Sequence, residues 1–346
     1  MSLSHKRLRG GWTKVGVVVA AAAMTLVSAC GGGSTGSSDG SELNLVAFSV
    51  PKAAYDDAQR AFADTPEGKG TSWKSSYGAS GDQARAVMSG LPADYVSFSL
   101  SSDMTKLVDK QLVAQDWASG VNKGIVSTSV VVIVTRKGNP LGIKGWADLT
   151  KPGVKIVTPN PGSSGSARWN ILAAWSHVTA NGGSEKDAID YLSTYYANIV
   201  SLPSSGREAT SAFTSGTGDV LISYENEAIA ARQSGAEVDY VVPETSIKIE
   251  NPGAVTTGAA ESAKKFLGFV TSDAGQEIFA EHGFRPLTAS IKPKEVEGAN
   301  DPSNPFPAVK KLATIGDLGG WSEVSKKFFD EENGIVTKIQ DASEVE

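Results

Sequence analysis

Apolar and polar positions along the chain follow two alternating patterns. Short runs rich in β-branched and aromatic residues recur at Leu43–Val50, Thr71–Tyr77, Asp94–Leu100, Ser127–Arg136, Lys155–Pro159, Ile199–Leu202, Asp219–Ser223 and Val238–Val242. Such residues fit a pleated, half-buried surface, so these runs are predicted strands. Helical patterns lie between and after them, at Pro51–Ala63, Gly81–Leu91, Ser164–Thr179, Glu185–Ala197, Glu208–Ser215, Ala259–Thr271, Asp273–His282 and Gly320–Ile339. Strands alternating with helices predict an α/β fold, with mostly parallel sheets flanked by helices.

Two stretches read as crossings. Val126–Val134 is a long unbroken β-rich run, and residues 243–258 contain Pro243 and Pro252 before the chain returns to helical text. They predict two lobes joined by hinge strands. One lobe takes residues 42–127 and about 248–320, the other 128–247, and about 321–346 form a C-terminal helix packing on a lobe. A chain of 346 residues suits this division, at roughly 150 residues per domain. Trp146, Trp169 and Trp175 are read as core, and Trp321 with the helix after it as docking on a lobe.

The N-terminus reads as an address. Residues 1–29 hold Lys6, Arg7, Arg9 and Lys14, no acid, and then the apolar run Val15–Ala29. A spanning helix needs ~20 apolar residues, so this shorter run fits a secretory signal. It ends Val27-Ser28-Ala29-Cys30, which reads as a lipobox with cleavage before Cys30 and lipid on its sulfur. The alternative is a lone buried cysteine. Residues 30–41, rich in Gly and Ser, read as a flexible tether on a lipid-anchored protein outside the cytoplasmic membrane.

Composition narrows the chemistry. With 32 Lys and Arg against 38 Asp and Glu, the formal charge is −6, which argues against a nucleic-acid partner. Removing residues 1–29 takes away four basic residues and no acid, leaving 317 residues and a charge of −10. One Cys rules out a disulfide within the chain and a cysteine-rich zinc site. Outside the N-terminal segment only His177 and His282 remain, so a multi-histidine metal site is not expected. No cofactor is expected.

In open α/β sheets, ligands bind beyond the carboxyl ends of strands, where loops lead into helix N-termini. Five such junctions stand out: Phe48–Lys52, Gly78–Gln83, Asn160–Trp169, Pro203–Glu208 and Ser223–Glu227. Ser49 reads as the N-cap of the first helix, with Pro51 in its first turn. Most of these junctions put Ser or Gly at a helix start. Helix N-termini offer free N–H donors and a partial positive charge. Several converging between two lobes would form an anion site from neutral groups. Any one junction alone is an ordinary cap.

The stretch Asp148–Asn170, with Asn160-Pro161-Gly162-Ser163-Ser164-Gly165-Ser166-Ala167-Arg168, resembles the bacterial sulfate-binding proteins of ABC importers. So do Arg136–Pro140, Gly218–Ile222, Glu225–Ala228, Ser272–Ile278 and Phe284–Pro286, and the similarity covers most of residues 42–340. The Ala/Gly-rich signal and the Cys30 tether suggest an actinobacterial lipoprotein version. The resemblance implies a two-lobed, type II periplasmic-binding-protein fold, a monomer, and an ABC permease as partner. It implies that sulfate is held without water by backbone N–H groups, serine hydroxyls and one aromatic donor. Position by position, the ligand residues fall on Ser49, Ser80, Ser164, Gly165, Ser166, Gly206 and Tyr224. Arg168 and Arg207 fall on arginines that bond backbone groups behind the site. Tyr224 stands where the family has an indole, Gly162 where it commonly has Lys, and Ala79 where it has Gly. Glu225 is expected to be structural, paired with an arginine or capping.

A site made of donors satisfies sulfate, which offers only acceptors. A hydrogen phosphate proton would be buried without an acceptor, at a cost of roughly 1–3 kcal/mol. Glu225 or Asp82 turning inward would weaken that argument. Rival readings are a binding protein for thiosulfate, molybdate or tungstate, a serine hydrolase using Ser164 with His177 or His282, and a structural surface lipoprotein. No G-x-S-x-G elbow surrounds Ser164, so catalysis is not expected.

Overall fold

The structure, a computed structural model, describes residues 42–288, 290–293 and 295–343. The expected signal, the lipid site at Cys30 and the tether lie outside the described residues. The first group of elements comprises β1 (Glu42–Phe48), α1 (Lys52–Ala63), β2 (Ser72–Gly78), α2 (Ser80–Met88), β3 (Tyr95–Ser97) and α3 (Ser101–Asp109). The long strand β4 (Ile125–Arg136) leads to β5 (Ile156–Val157), α4 (Gly165–Thr179), α5 (Glu185–Ala197), β6 (Ile199–Ser201), α6 (Gly206–Thr214), β7 (Val220–Tyr224), α7 (Glu225–Gln233) and β8 (Val238–Val241). The chain returns along β9 (Thr245–Val255) to α8 (Glu261–Val270), α9 (Asp273–Glu281), β10 (Lys311–Ala313), α10 (Gly320–Phe329) and α11 (Ile335–Ser343). Among the described residues no helix is long and apolar enough to cross a membrane.

The strands lie in the order β2-β1-β3-β9-β4-β7-β5-β6, with β10 on β9 and β8 on β4. Within the first group β1 pairs in parallel with β2 and β3, and within the second β5 pairs in parallel with β6 and β7. The pairings β3–β9, β4–β9, β4–β7 and β4–β8 are antiparallel. The sheet is therefore mixed rather than mostly parallel. The reason is the pair of long strands. β4 carries the chain from one group to the other and β9 carries it back, so they run in opposite directions wherever they touch.

β9 lies within 243–258, the second stretch read as a crossing, in spite of Pro252. Pro252 lacks a ladder donor, and the register of β4 against β9 shifts where Pro252 faces Ile125. Its carbonyl still accepts the N–H of Phe98 at 3.0 Å. A register shift is where a strand tolerates proline.

Aromatic side chains fill the core of the first group. Phe266 of α8 has Tyr55, Phe62, Trp73 and Tyr95 around it, with centroids 4.4–6.4 Å away. In the second group α4 is buried on almost every side. Trp146, Trp169 and Trp175 are buried as expected. The predicted helix 320–339 is two helices, broken where the Asp330 carboxylate accepts the N–H groups of Glu332 and Asn333. The first of them, α10, packs on α4, with Trp321 edge-on to Trp169 at 4.7 Å and Phe328 edge-on to Trp175 at 4.8 Å, while α11 packs on α5.

Candidate functional site

Three helices begin close together. Ser164 caps α4, its Oγ accepting the N–H of Ala167 at 3.4 Å. Ser205 caps α6, its Oγ accepting the N–H of Glu208 at 3.2 Å. The α2 helix begins at Ser80. First-turn N–H groups have no acceptor within their own helix and carry the positive end of its dipole.

Glycine permits the close approach. A Cβ on Gly165 would lie 2.6 Å from Ser99 Oγ and 2.8 Å from Leu100 Cγ. A Cβ on Gly206 would lie 2.9 Å from Ser166 Oγ and 3.2 Å from Val50 Cγ2. The Gly81 N–H donates to the Ser163 carbonyl at 3.1 Å, which ties the start of α2 to the loop before α4. Ser80, Ser164, Gly165, Ser166, Gly206 and Tyr224 thus gather at one junction between the two strand groups.

Ser49 departs from its expected place. Its N–H donates to the Gly78 carbonyl at 2.9 Å, extending the β1–β2 ladder by one residue, and it caps nothing. The N-cap of α1 is Pro51, which has no capping side chain. The residue that reaches the junction is Val50, buried against Gly206 and accepting a bond from Arg207 Nη2 at 3.0 Å through its carbonyl.

Ser80 is present, but its hydroxyl is engaged. Its Oγ donates to Asp103 Oδ2 at 2.7 Å and accepts the Ser99 N–H at 3.0 Å. Tyr224 is fully buried at the end of β7, its phenolic oxygen 2.7 Å from Ser99 Oγ. Burial pushes that phenol above the usual tyrosine range. Sequence reasoning missed Val50, Ser99 and Asp103. Ser99 obeys the strand-end rule, but the helix that follows it, α3, is not among those the sequence pattern predicts.

The carboxylates nearby are paired, and the arginines are held by backbone groups, a ring or an acid. Arg168 Nε donates to the Pro161 carbonyl at 3.1 Å, and its guanidinium lies 4.7 Å from the Phe329 ring centre. Arg207 bonds Glu227 Oε1 at 2.6 Å as well as the Val50 carbonyl. Glu225 takes two bonds from Arg285, at 2.6 and 3.0 Å. Asp103 holds Lys106 at 2.9 Å as well as Ser80, and exposed Asp82 pairs with Arg85. Burial raises the Glu225 and Glu227 carboxyls, while their arginines pull the other way. Among the described residues no group of three or more His, Cys, Asp or Glu is placed to hold a metal ion. A cavity of about 580 Å³ lies elsewhere, lined by Ile189, Ile335 and Ile339 among others. Its largely apolar wall suits an anion less well than the tight junction does.

Residues 43–285 match the family model described as bacterial extracellular solute-binding protein. The sulfate-binding protein of Synechococcus elongatus is 40% identical, over 97% of this chain and 99% of that one. The thiosulfate-binding protein of Pseudomonas aeruginosa is 35% identical, over 80% and 84%. The solved sulfate-binding protein SubI of Mycobacterium tuberculosis superposes with a TM-score of 0.78 at 42% identity, covering 84% of this chain and 99% of that one. With its two strand groups, its paired long strands and relatives matched over 80–97% of its length, the chain belongs to the bacterial extracellular solute-binding proteins.

Proposed function

We propose that the protein captures sulfate at this junction and delivers it to an ABC permease. The observation that carries the reading is the meeting of three helix starts where every nearby carboxylate already has a cationic partner or faces solvent. Sulfate would take N–H groups from Val50, Gly165, Ser166 and Gly206 and hydroxyls from Ser164 and Tyr224. Val50 replaces Ser49, whose N–H is held in the ladder. Ser80 would join by turning its proton from Asp103 to the anion. Arg168 and Arg207 hold the loops from behind. Partial charges at helix starts then do the work of cations, against an acidic protein.

The lobes would be residues 42–127 with about 248–320, and 128–247, with about 321–346 packed on the second. β4 and β9 would serve as hinges that close the lobes over the anion. The protein would act as a monomer, held outside the membrane by a lipid on Cys30 and the tether to 41. Thiosulfate is a second candidate ligand, since a thiosulfate-binding relative is 35% identical.

Thermal unfolding tests the reading. Sulfate at a hundredfold excess over Kd adds about 2.7 kcal/mol to the stability of a protein that binds it, so the midpoint should rise clearly. Tyr224→Phe deletes one buried donor and should weaken sulfate about tenfold, shrinking the shift at equal sulfate. No shift in the wild type overturns the reading, and an unchanged shift in Tyr224→Phe removes the phenol from the donor set.

A further inference from the structure

Ser99 sits just after β3, where several elements meet, and it is completely buried. Its N–H donates to Ser80 Oγ at 3.0 Å. Its carbonyl accepts Trp169 Nε1 at 2.9 Å and Asn251 Nδ2 at 3.2 Å. Its hydroxyl lies 2.7 Å from the Tyr224 phenolic oxygen. The main chain of this residue is pinned from α2, α4 and β9, so its hydroxyl starts from a fixed point. The contact to Tyr224 also joins one strand group to the other.

Counting protons decides how the pair works. The two oxygens carry two protons, and only one lies in the bond between them. If Tyr224 donates to Ser99, the phenol has no proton left for a ligand. If Ser99 donates to Tyr224, the phenolic proton points away from Ser99, towards a ligand or towards the Ser166 and Asn251 side chains that also stand against the phenol. A bond accepted by the phenolic oxygen also strengthens the bond it donates. An anion within reach of Tyr224 favours the second arrangement, because only that one leaves it the phenolic proton; in the first the free proton is that of Ser99.

We propose that Ser99 is a positioning residue for anion binding: its hydroxyl donates to the Tyr224 oxygen and so directs the single phenolic proton to the ligand. This rests on the reading that Tyr224 donates to the bound anion. It makes the donor strength of Tyr224 depend on a hydroxyl from the opposite strand group. Anion affinity is thereby linked to the apposition of the two groups.

A double-mutant cycle read by calorimetric titration of the purified protein tests it, with the wild type, Ser99→Ala, Tyr224→Phe and the double variant. Ser99→Ala should weaken sulfate about fivefold to tenfold. In the Tyr224→Phe background the same change should cost nothing further, because the proton it directs is gone. The tyrosine absorption difference on adding sulfate should vanish in Tyr224→Phe and change in Ser99→Ala. Unfolding without ligand checks that each variant is folded. The proposal is overturned if Ser99→Ala binds as the wild type does, or if it costs the same factor in both backgrounds. If the wild type ignores sulfate but takes thiosulfate or molybdate, the sulfate reading fails and the cycle is read with that anion. Binding of none of the three overturns both.

Discussion

Replacing Arg285 with alanine should destabilise the protein by about 3–5 kcal/mol, the cost of leaving a buried charge without its partner. Glu225 is fully buried, and both of its oxygens accept from that guanidinium. The backbone of residue 285 keeps its bonds to Thr128, the N–H donating at 2.9 Å and the carbonyl accepting Thr128 Oγ1 at 2.7 Å. The substitution therefore acts on the side chain. Urea unfolding at neutral pH measures the loss. Burial already holds the Glu225 carboxyl above its ordinary range, and without Arg285 nothing counters that push. An acid with a raised folded pKa binds its proton more tightly when folded than when unfolded. The deficit should therefore shrink as pH falls through the folded pKa. Adding Glu225→Gln to Arg285→Ala should recover much of the loss at neutral pH. A loss below about 1 kcal/mol would mean that the pair is not a buried charge pair in solution.

Gly165→Ala should weaken sulfate by about a hundredfold or more, some 2.7 kcal/mol. The added methyl would meet Ser99 and Leu100 at 2.6–2.8 Å, and overpacking of this kind costs about 1–3 kcal/mol. The contact lies between the start of α4 and the junction after β3. Relief would push the helix start, with its N–H donors, away from the junction. Gly206→Ala is the control. Its methyl would meet the end of the Ser166 side chain at 2.9 Å and Val50 at 3.2 Å, so it should cost less. Titration of both variants checks the order, and equal losses would contradict the crowding argument.

The strand-end rule picks out most of the junction from the sequence, because N-caps and glycines are local signals. Ser164, Gly165, Ser166 and Gly206 stand at helix starts as expected. Ser49 was displaced because the β1–β2 ladder runs one residue past the named strand, and register is set by pairing, not by local text. β9 lies within the second crossing, 243–258, but its antiparallel pairing with β4 and the register shift at Pro252 depend on the partner strand and are not legible locally. Ser99 and Asp103 were hidden for a different reason. Ser99 depends on Tyr224, Trp169 and Asn251, and Asp103 on Ser80, all of which arrive from other segments of the chain. No spacing within one segment reveals such a meeting. The arginine partners divide in the same way. Arg168 bonds a backbone group seven residues away, whereas Glu225 finds Arg285 60 residues on.

The net charge of −6 gives no help in holding a dianion, so the account stands or falls on local donors. The direct test is calorimetric titration of the protein with sulfate and, under the same conditions near neutral pH, with phosphate. Hydrogen phosphate carries a proton for which the junction holds no free carboxylate, since Asp103, Glu225 and Glu227 are each paired. The account predicts sulfate binding at micromolar Kd or tighter, and phosphate binding weaker by at least tenfold. Phosphate binding as tightly as sulfate, or no heat from sulfate at all, would contradict it.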